Sequence, residues 1–580
     1  GALALDANTT ADNNTAVGYS ALGANTTGSE NTALGKEALA ANTTANSNVG
    51  IGFKALFTNT TGAENVGVGD SALRANTTAN QNTAIGHSAL TANTEGHSNT
   101  ALGSEAGKAI TTGDENTIVG HGALDAGTTV NGNTAVGTDT MASASYAASY
   151  NTAVGYNALL VATTGTGLTA IGNQALDANT TASNNTAVGS AALGAVTTGG
   201  LNVAVGTFAG DAITTGTQNI AIGYNSLSAT TTGQQNCALG AAALAANTTA
   251  SSNTAIGDIS LNNNTTGDNN VAVGASSLNA NTTASNNTAV GTAAMYLNTT
   301  GYSNVAVGSD AMQQNTTGYQ NTCVGKNSFD ANTTGVANTA VGFGALTANT
   351  TANYNTAFGW NALDANTTGT TNVAVGANAS GAVTTGSQNV TVGLNAGGSV
   401  TTGGNNMQLG YDSGNSGSPG GAITTGNNEI TIGNSSHSKI NTQVSITVAS
   451  DERDKTDFAD LDLGLAFVNQ LAPVTYKWDK RSKYVDWVAN PDTDLNSVTS
   501  DGTHKESWLD VGFKAQAVSV LEEAAGYKIS DEKNLTVSLS GDGKQYGLRY
   551  EKFIPILVKA LQEADDKIDA LTARVTTLEG

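Results

Sequence analysis

The sequence predicts a mainly β protein: a parallel β-roll or β-solenoid shaft of 17-residue repeats, then a small α/β domain ending in a long coiled-coil-like helix. Three observations predict it. A phrase close to NTAVGxxALxANTTGxx recurs through residues 1–410. Charge is sparse up to residue 449 and dense after it. The final stretch carries apolar residues at heptad spacing.

The repeat is regular enough to number. With the Asn of NTAVG as position 1, that position falls at 14, 31, 48, 65, 82, 99, 116 and 133, then at 151 and every 17 residues to 406. Leu168 replaces Asn once, and the whole makes 24 copies with one single-residue insertion. Position 5 is Gly in all of them, from Gly18 to Gly410. Seventeen residues are too few for a helical hairpin but suit one coil of a narrow solenoid with two short strands and two turns. Thr or Val at position 2 and an aliphatic residue at 4, around a small residue at 3, is strand patterning. Gly at 5 permits a turn with positive φ. Ala-Leu at 8–9 is expected to begin the second strand, and Asn-Thr-Thr-Gly at 12–15 to close the coil. No Pro precedes Pro419, as expected where nearly every N–H is needed in a ladder.

Positions 9 and 12 exchange character. Leu22 goes with Asn25, but Gly107 with Ile110, Gly210 with Ile213, Ser380 with Val383 and Gly397 with Val400; Leu193 with Val196 departs from the pattern. The two positions are therefore expected to share one core slot at constant packed volume. The Asn column is expected to stack into an amide ladder, with an Asx-turn preference as the plainer alternative. A coil this thin buries little, so oligomerisation is expected to supply the missing core. The small position-3 residues (Ala16, Ala33, Gly50, Gly67) are expected to form the face that lets other chains approach.

The repeat NTAVGxxAL resembles that of trimeric autotransporter adhesin heads and related repeats in phage tail fibres. The resemblance covers residues 1 to about 410 and implies a left-handed parallel β-roll assembled as a homotrimer. About 24 coils at roughly 4.8 Å would give a rod on the order of 115 Å. GALALDANTT opens in mid-repeat, at position 5, so a preceding part with an anchoring region is expected to be missing. From residue 411 the rhythm loosens through YDSGNSGSPGG, returns in AITTG and EITIG, and leads through SKINTQVSITVAS to the boundary.

Residues 1–449 hold 27 charged side chains and residues 450–580 hold 40, which separates a shaft (1–410), a connector (411–449) and a C-terminal domain (450–580). The net charge is −23, and both parts are acidic. A nucleic-acid or anionic membrane partner is therefore disfavoured, and no apolar run is long enough to span a bilayer. Cys237 and Cys323 are expected to stay unbridged, five coils apart. His87, His97, His121, His437 and His504 show no ligand spacing, so no metal and no cofactor is expected. The Asn-Thr-Thr triplets fit a glycosylation sequon only because the repeat generates them.

In the C-terminal domain GLAFVNQLAPVTYKWD predicts a helix, a Pro break and a strand. GFKAQAVSVLEEAAG predicts a helix leading into a strand pair. YEKFIPILVKALQEADDKIDALTARVTTLEG predicts a long helix whose Leu561, Ile568, Leu571, Val575 and Leu578 form a coiled-coil seam. Four segments, SDERDK, GLAFVNQLAPVTYKW, GFKAQAV and YEKFIPILVKALQE, resemble the intramolecular chaperone domain of phage tailspikes and tail fibres, a self-cleaving peptidase family. Asp454 and Ala517 depart from its pattern. The resemblance places the nucleophile on Ser450, its lysine partner on Lys455 and the cleaved bond at Ala449–Ser450. A neutral lysine can take a serine proton, and attack on the preceding carbonyl needs only a held geometry. The plainer alternative is a Ser450 helix cap with a solvated Lys455.

Together the two resemblances imply a virion tail fibre for host attachment. Its expected partners are two further copies of the chain, a host surface receptor (glycan or outer-surface protein) and other tail proteins through the missing N-terminal region. A polysaccharide-cleaving tailspike is disfavoured because Glu30, Glu37, Glu64 and Asp70 form no recurring pair. A bacterial adhesin would end in a membrane barrel, and an ice-binding Thr array is a weaker reading than Thr at turns.

Overall fold

The computed structural model describes residues 1–580 except 144–147, 419–420, 438–439, 442, 444–449, 486–492, 541, 542 and 544. The chain divides into two compact units, Gly1–Asn321 and Thr322–Gly580. The fold is mainly β, a parallel β-solenoid with a small C-terminal region and a long terminal helix.

In the first unit each regular coil contributes one three-residue strand, from Thr15–Val17 to Val305–Val307. Successive strands pair in parallel at a constant register: Thr15 lies beside Thr32, Ala16 beside Ala33 and Val17 beside Leu34. Across the one-residue insertion Thr134 pairs with Thr152, so the extra residue is absorbed outside the strands.

The expected second strand at positions 8–9 does not form. Ser20 and Leu22, at positions 7 and 9, have φ of 53° and 51°, and the same alternation recurs in most copies. This segment instead runs through tight turns, with Gly23 N donating to Ser20 O at 3.3 Å and Asn25 N to Leu22 O at 3.2 Å. Its N–H groups still reach the next coil, Leu22 N to Ala38 O at 3.0 Å and Ala24 N to Ala40 O at 3.1 Å. A left-handed leucine costs about 1–2 kcal/mol. Complete burial of Leu22, Leu39, Leu56, Leu73 and Leu90 offsets that with about 1.5–3 kcal/mol each.

Position 5 needs Gly for two reasons. Gly189 has φ of 140°, and a Cβ placed on it would lie 2.4 Å from the carbonyl oxygen of Gly206 in the next coil. The other small column, position 3, corrects the sequence reading: it faces inward. Ala33, Ala84 and Ala101 are fully buried, and a Cβ on Gly50 would lie 3.1 Å from Leu39 Cγ. Residues at positions 2 and 4 point out of the coil, as in Thr32–Leu34 and Val203–Val205.

Two Asn columns hold the coils together. At position 1, Asn31 N donates to Asn14 Oδ1 at 2.9 Å while Asn31 Nδ2 donates to Ala45 O at 2.8 Å. At position 12, Asn42 Nδ2 donates to Asn25 Oδ1 at 2.8 Å and to Ala45 O at 3.1 Å, so this side chain forms the ladder and also closes its own turn. The Thr at position 13 adds a third column, Thr26 Oγ1 to Thr43 O at 3.0 Å. Leu168 N donates to Asn151 Oδ1 at 2.9 Å, but the Leu168 side chain has no acceptor to offer the next coil.

The exchange between positions 9 and 12 is seen directly. Ile110, Ile213, Val383 and Val400 are fully buried. A Cβ on Gly210 would lie 3.0 Å from Ile213 Cδ1 and 3.0 Å from Leu193 Cδ2. Gly210→Leu alone should overpack its coil by about 1–3 kcal/mol. Gly210→Leu with Ile213→Asn should recover much of that loss by restoring the majority pattern. Hydrogen exchange of residues 203–222 reads both, and equal loss in the single and double variants would refute the shared slot.

Position 10 carries half-buried acids. Burial pushes the Asp125, Asp177, Asp211 and Asp364 carboxyls up, Glu105 adding to the effect at Asp125 and backbone N–H groups opposing it at all four. An acid whose folded pKa exceeds its unfolded value of about 4 binds its proton more tightly when folded. Its stabilising contribution is lost as pH rises through the folded value, so acidification from neutrality should strengthen the shaft. Solvent screening keeps the gain small. The expected result is a shaft melting temperature that rises from pH 7 to pH 4.5, with a smaller rise in Asp177→Asn/Asp211→Asn; a fall in wild type would contradict it.

The second unit begins with seven more strands of the same kind, from Thr322–Val324 to Ile430–Ile432. Met407 pairs with Ile430, 23 residues on, so YDSGNSGSPGG widens that coil without breaking the register. The C-terminal region follows. Helices α1 (Leu465–Val468), α2 (Ala515–Ala524) and α3 (Phe553–Glu579) stand where the sequence places them. Strand Val474–Tyr476 pairs antiparallel with Asp510–Gly512, and Val537–Leu539 with Tyr546–Leu548. Leu463, Phe467, Val518, Val537, Phe553 and Ile556 form one buried cluster, which joins all three helices to the second hairpin.

Candidate functional site

The acidic run after the shaft folds into a single 3-10 turn, Glu452–Asp454. Asp451, rather than Ser450, caps it, accepting from Arg453 N at 2.9 Å. The Arg453 guanidinium closes on the same carboxylate, Nη2 to Oδ2 at 2.5 Å, and holds the Asp451 pKa below the ordinary carboxylate value. Lys455 N donates to Glu452 O at 3.1 Å as the turn ends. One turn therefore brings residues five apart in sequence to the same side, and Lys455 Nζ lies 2.5 Å from Ser450 Oγ. The two residues named from the sequence are brought together. Ala449, on the other side of the expected cleavage bond, lies outside the described residues.

A hydrogen bond between these two atoms is the contact that proton transfer from Oγ to Nζ requires. A lysine acts as a base only after losing its own proton, and exclusion of water favours that. Both side chains are exposed in the single chain.

Behind the turn the domain carries features that pattern reading missed. Glu522 on α2 is fully buried, and it accepts from Thr536 N at 2.6 Å, from the Thr536 hydroxyl and from Leu535 N at 3.3 Å. It ties α2 to the start of the hairpin, a role that a Glu in an EE pair does not announce. Glu563 on α3 caps α1 by accepting from Leu465 N at 2.8 Å. The apolar seam of α3 also begins earlier than read: Ile554 and Leu557 continue its heptad spacing, and they are exposed together with Leu561, Ile568, Leu571, Val575 and Leu578. The buried residues of α3, Phe553, Ile556 and Ala560, lie on another face.

On the shaft, the outward position-4 column is apolar and half-buried to exposed. Leu34 and Leu102 are each 47% exposed, and Phe358 in the second unit is 55% exposed. Both cysteines are free; Cys323 is buried, and burial pushes its thiol pKa well up. No group of His, Cys, Asp and Glu among the described residues could hold a metal ion. No described helix is long and apolar enough to cross a membrane.

Residues 450–527 match a family model described as chaperone of endosialidase, Peptidase_S74. The match begins on the serine that Lys455 contacts. No curated protein and no solved structure matches the chain.

Proposed function

We propose that this chain forms the shaft of a homotrimeric virion tail fibre used for host-surface attachment. In this reading its C-terminal domain aligns the three chains and then cuts itself off between Ala449 and Ser450. The observation that carries the proposal is that the similarity to the endosialidase chaperone begins at Ser450, whose Oγ is bonded to Lys455 Nζ.

The chemistry follows from that bond. Ser450 Oγ attacks the carbonyl carbon of residue 449 while Lys455 Nζ takes the hydroxyl proton. The peptide C–N bond breaks, and the Ser450 α-amine leaves with a proton. Water then hydrolyses the resulting ester, leaving a carboxylate on residue 449 and restoring the Ser450 hydroxyl. Attacker and target belong to adjacent residues, so the step gains the rate advantage of a held geometry. Neighbouring chains would supply the water-excluding surround that the single chain lacks.

Two surfaces support assembly. The position-4 column gives each coil an aliphatic or aromatic side chain, half-buried to exposed, whose remaining apolar surface would contribute about 25 cal/mol per Å² buried. The α3 seam offers a second apolar stripe at coiled-coil spacing. The receptor, a glycan or an outer-surface protein, and the neighbouring tail proteins complete the reading as partners, with the virion as location. The test is the molar mass in solution: three chains are expected, and a monomer overturns the proposal.

A further inference from the structure

Within the second unit a charged group of the C-terminal domain touches the end of the solenoid. Lys480 Nζ donates to the carbonyl oxygen of Ser435 at 2.6 Å and to that of His437 at 3.3 Å. Both carbonyls belong to a turn that follows the last solenoid strand. That turn is tied to itself: Asn434 N donates to His437 Nδ1 at 3.1 Å and Ser436 N to Asn434 Oδ1 at 2.9 Å. It is also tied to the widened coil, with Ser435 N donating to Gly417 O at 3.0 Å. The carbonyls are therefore presented by a fixed loop.

The lysine is fixed as well. Trp478 lies against it, with the ammonium 6.0 Å from the ring centroid, and Trp478 Nε1 donates to Asp510 at 3.1 Å. Asp479, next in sequence, accepts from Tyr484 Oη at 2.7 Å and from Gly502 N at 2.9 Å. Cavities of about 780 and 570 Å³ reach Ser435 here, the first lined also by Tyr411 and His504 and the second by Trp478 and Trp508. A charge-assisted bond to a carbonyl is stronger than a neutral one, and it gains further where water is partly excluded.

We infer that Lys480 is a latch that holds the C-terminal domain on the shaft after the chain between them has been cut. Residues 435–437 and Lys480 fall on opposite sides of the 449–450 bond, so scission leaves this contact intact and turns an intramolecular bridge into one between two chains. Cutting and release become separate events, and the domain leaves only when the latch opens. The inference rests on the self-cleavage reading, but its test does not.

The test uses a Ser450→Ala chain with a site-specific protease sequence inserted after residue 449, so that scission is imposed from outside. After the cut, the two pieces should co-elute in size-exclusion chromatography. Lys480→Met, which keeps the stem against Trp478 and removes the charge, should release the C-terminal piece at least tenfold faster. Asn434→Ala, which loosens the receiving turn and leaves the C-terminal domain untouched, should also speed release, and it decides the matter should the Met variant aggregate before cutting. Immediate release from the Lys480 chain, or equal retention in the variants, overturns the latch. Failure of the unmodified chain to cut itself would instead count against the dyad alone.

Discussion

Ser450→Ala should abolish a 131-residue C-terminal fragment that the unaltered chain should release by the proposed self-cleavage. The expected readout is intact mass of freshly expressed protein: two pieces from the wild type and one full-length chain from the variant. The effect should be all-or-none, because a serine that attacks its own preceding carbonyl has no substitute nucleophile at that position. Lys455→Met should slow the same step by a factor on the order of 10²–10⁴, the usual contribution of a positioned acid–base group. The 2.5 Å contact between Nζ and Oγ makes the two residues one unit, so the double variant should be no worse than Ser450→Ala alone. The Asp451–Arg453 pair holds the turn closed; it is a positioning pair, and its loss should slow cleavage without abolishing it. An uncut wild-type chain in a confirmed trimer would remove the peptidase role and leave the domain as an aligning device only.

What the sequence made legible follows from what periodicity can encode. A 17-residue period with Gly at position 5 specifies stacked coils, because the Gly columns sit where a Cβ would strike the next coil. The exchange of Leu and Asn for Gly and Ile at positions 9 and 12 is a volume argument, and volumes can be read from residue types. Backbone sign cannot. Leu22 sits in the left-handed region, which composition gives no reason to suspect, so Ala-Leu was taken for a strand. Alternation has a related limit: it shows that position 3 opposes positions 2 and 4 but not which side is inside. The small Ala was taken as the outer face. In a coil this thin the interior holds small residues, the two Asn columns and one larger apolar side chain, usually Leu, and the position-4 aliphatic side chains are left outside. The Ser450–Lys455 pairing comes from the resemblance of four segments, and one turn suffices to bring two residues so close in sequence into contact. Glu522 and Thr536 were not legible, because the packing of α2 against a hairpin brings them together over 14 residues.

A chain ending at residue 449 should fail to assemble as the full chain does. Every coil presents nearly the same outer face, Thr or Val at position 2 and an aliphatic residue at position 4 at 17-residue steps, so three shafts displaced by one coil would keep almost all their apolar contacts. The free-energy gap between aligned and displaced trimers is then a single coil at each end, while the barrier to sliding grows with every coil in contact. Misaligned assemblies would be trapped rather than corrected. In the proposed trimer the C-terminal domain would break this degeneracy because its sequence occurs once. The α3 seam, Ile554 to Leu578, can associate in only a few registers, and the domain core fixes α3 to the rest of residues 461–556. Light scattering of the truncated chain should show a broad distribution of aggregates in place of a single mass near three chains. The same shaft freed from a full-length trimer by an added protease should stay trimeric, since alignment is needed only once. A truncated shaft that reaches the same sharp trimer unaided would show that the coils carry their own register information, and the aligning role of residues 450–580 would fall.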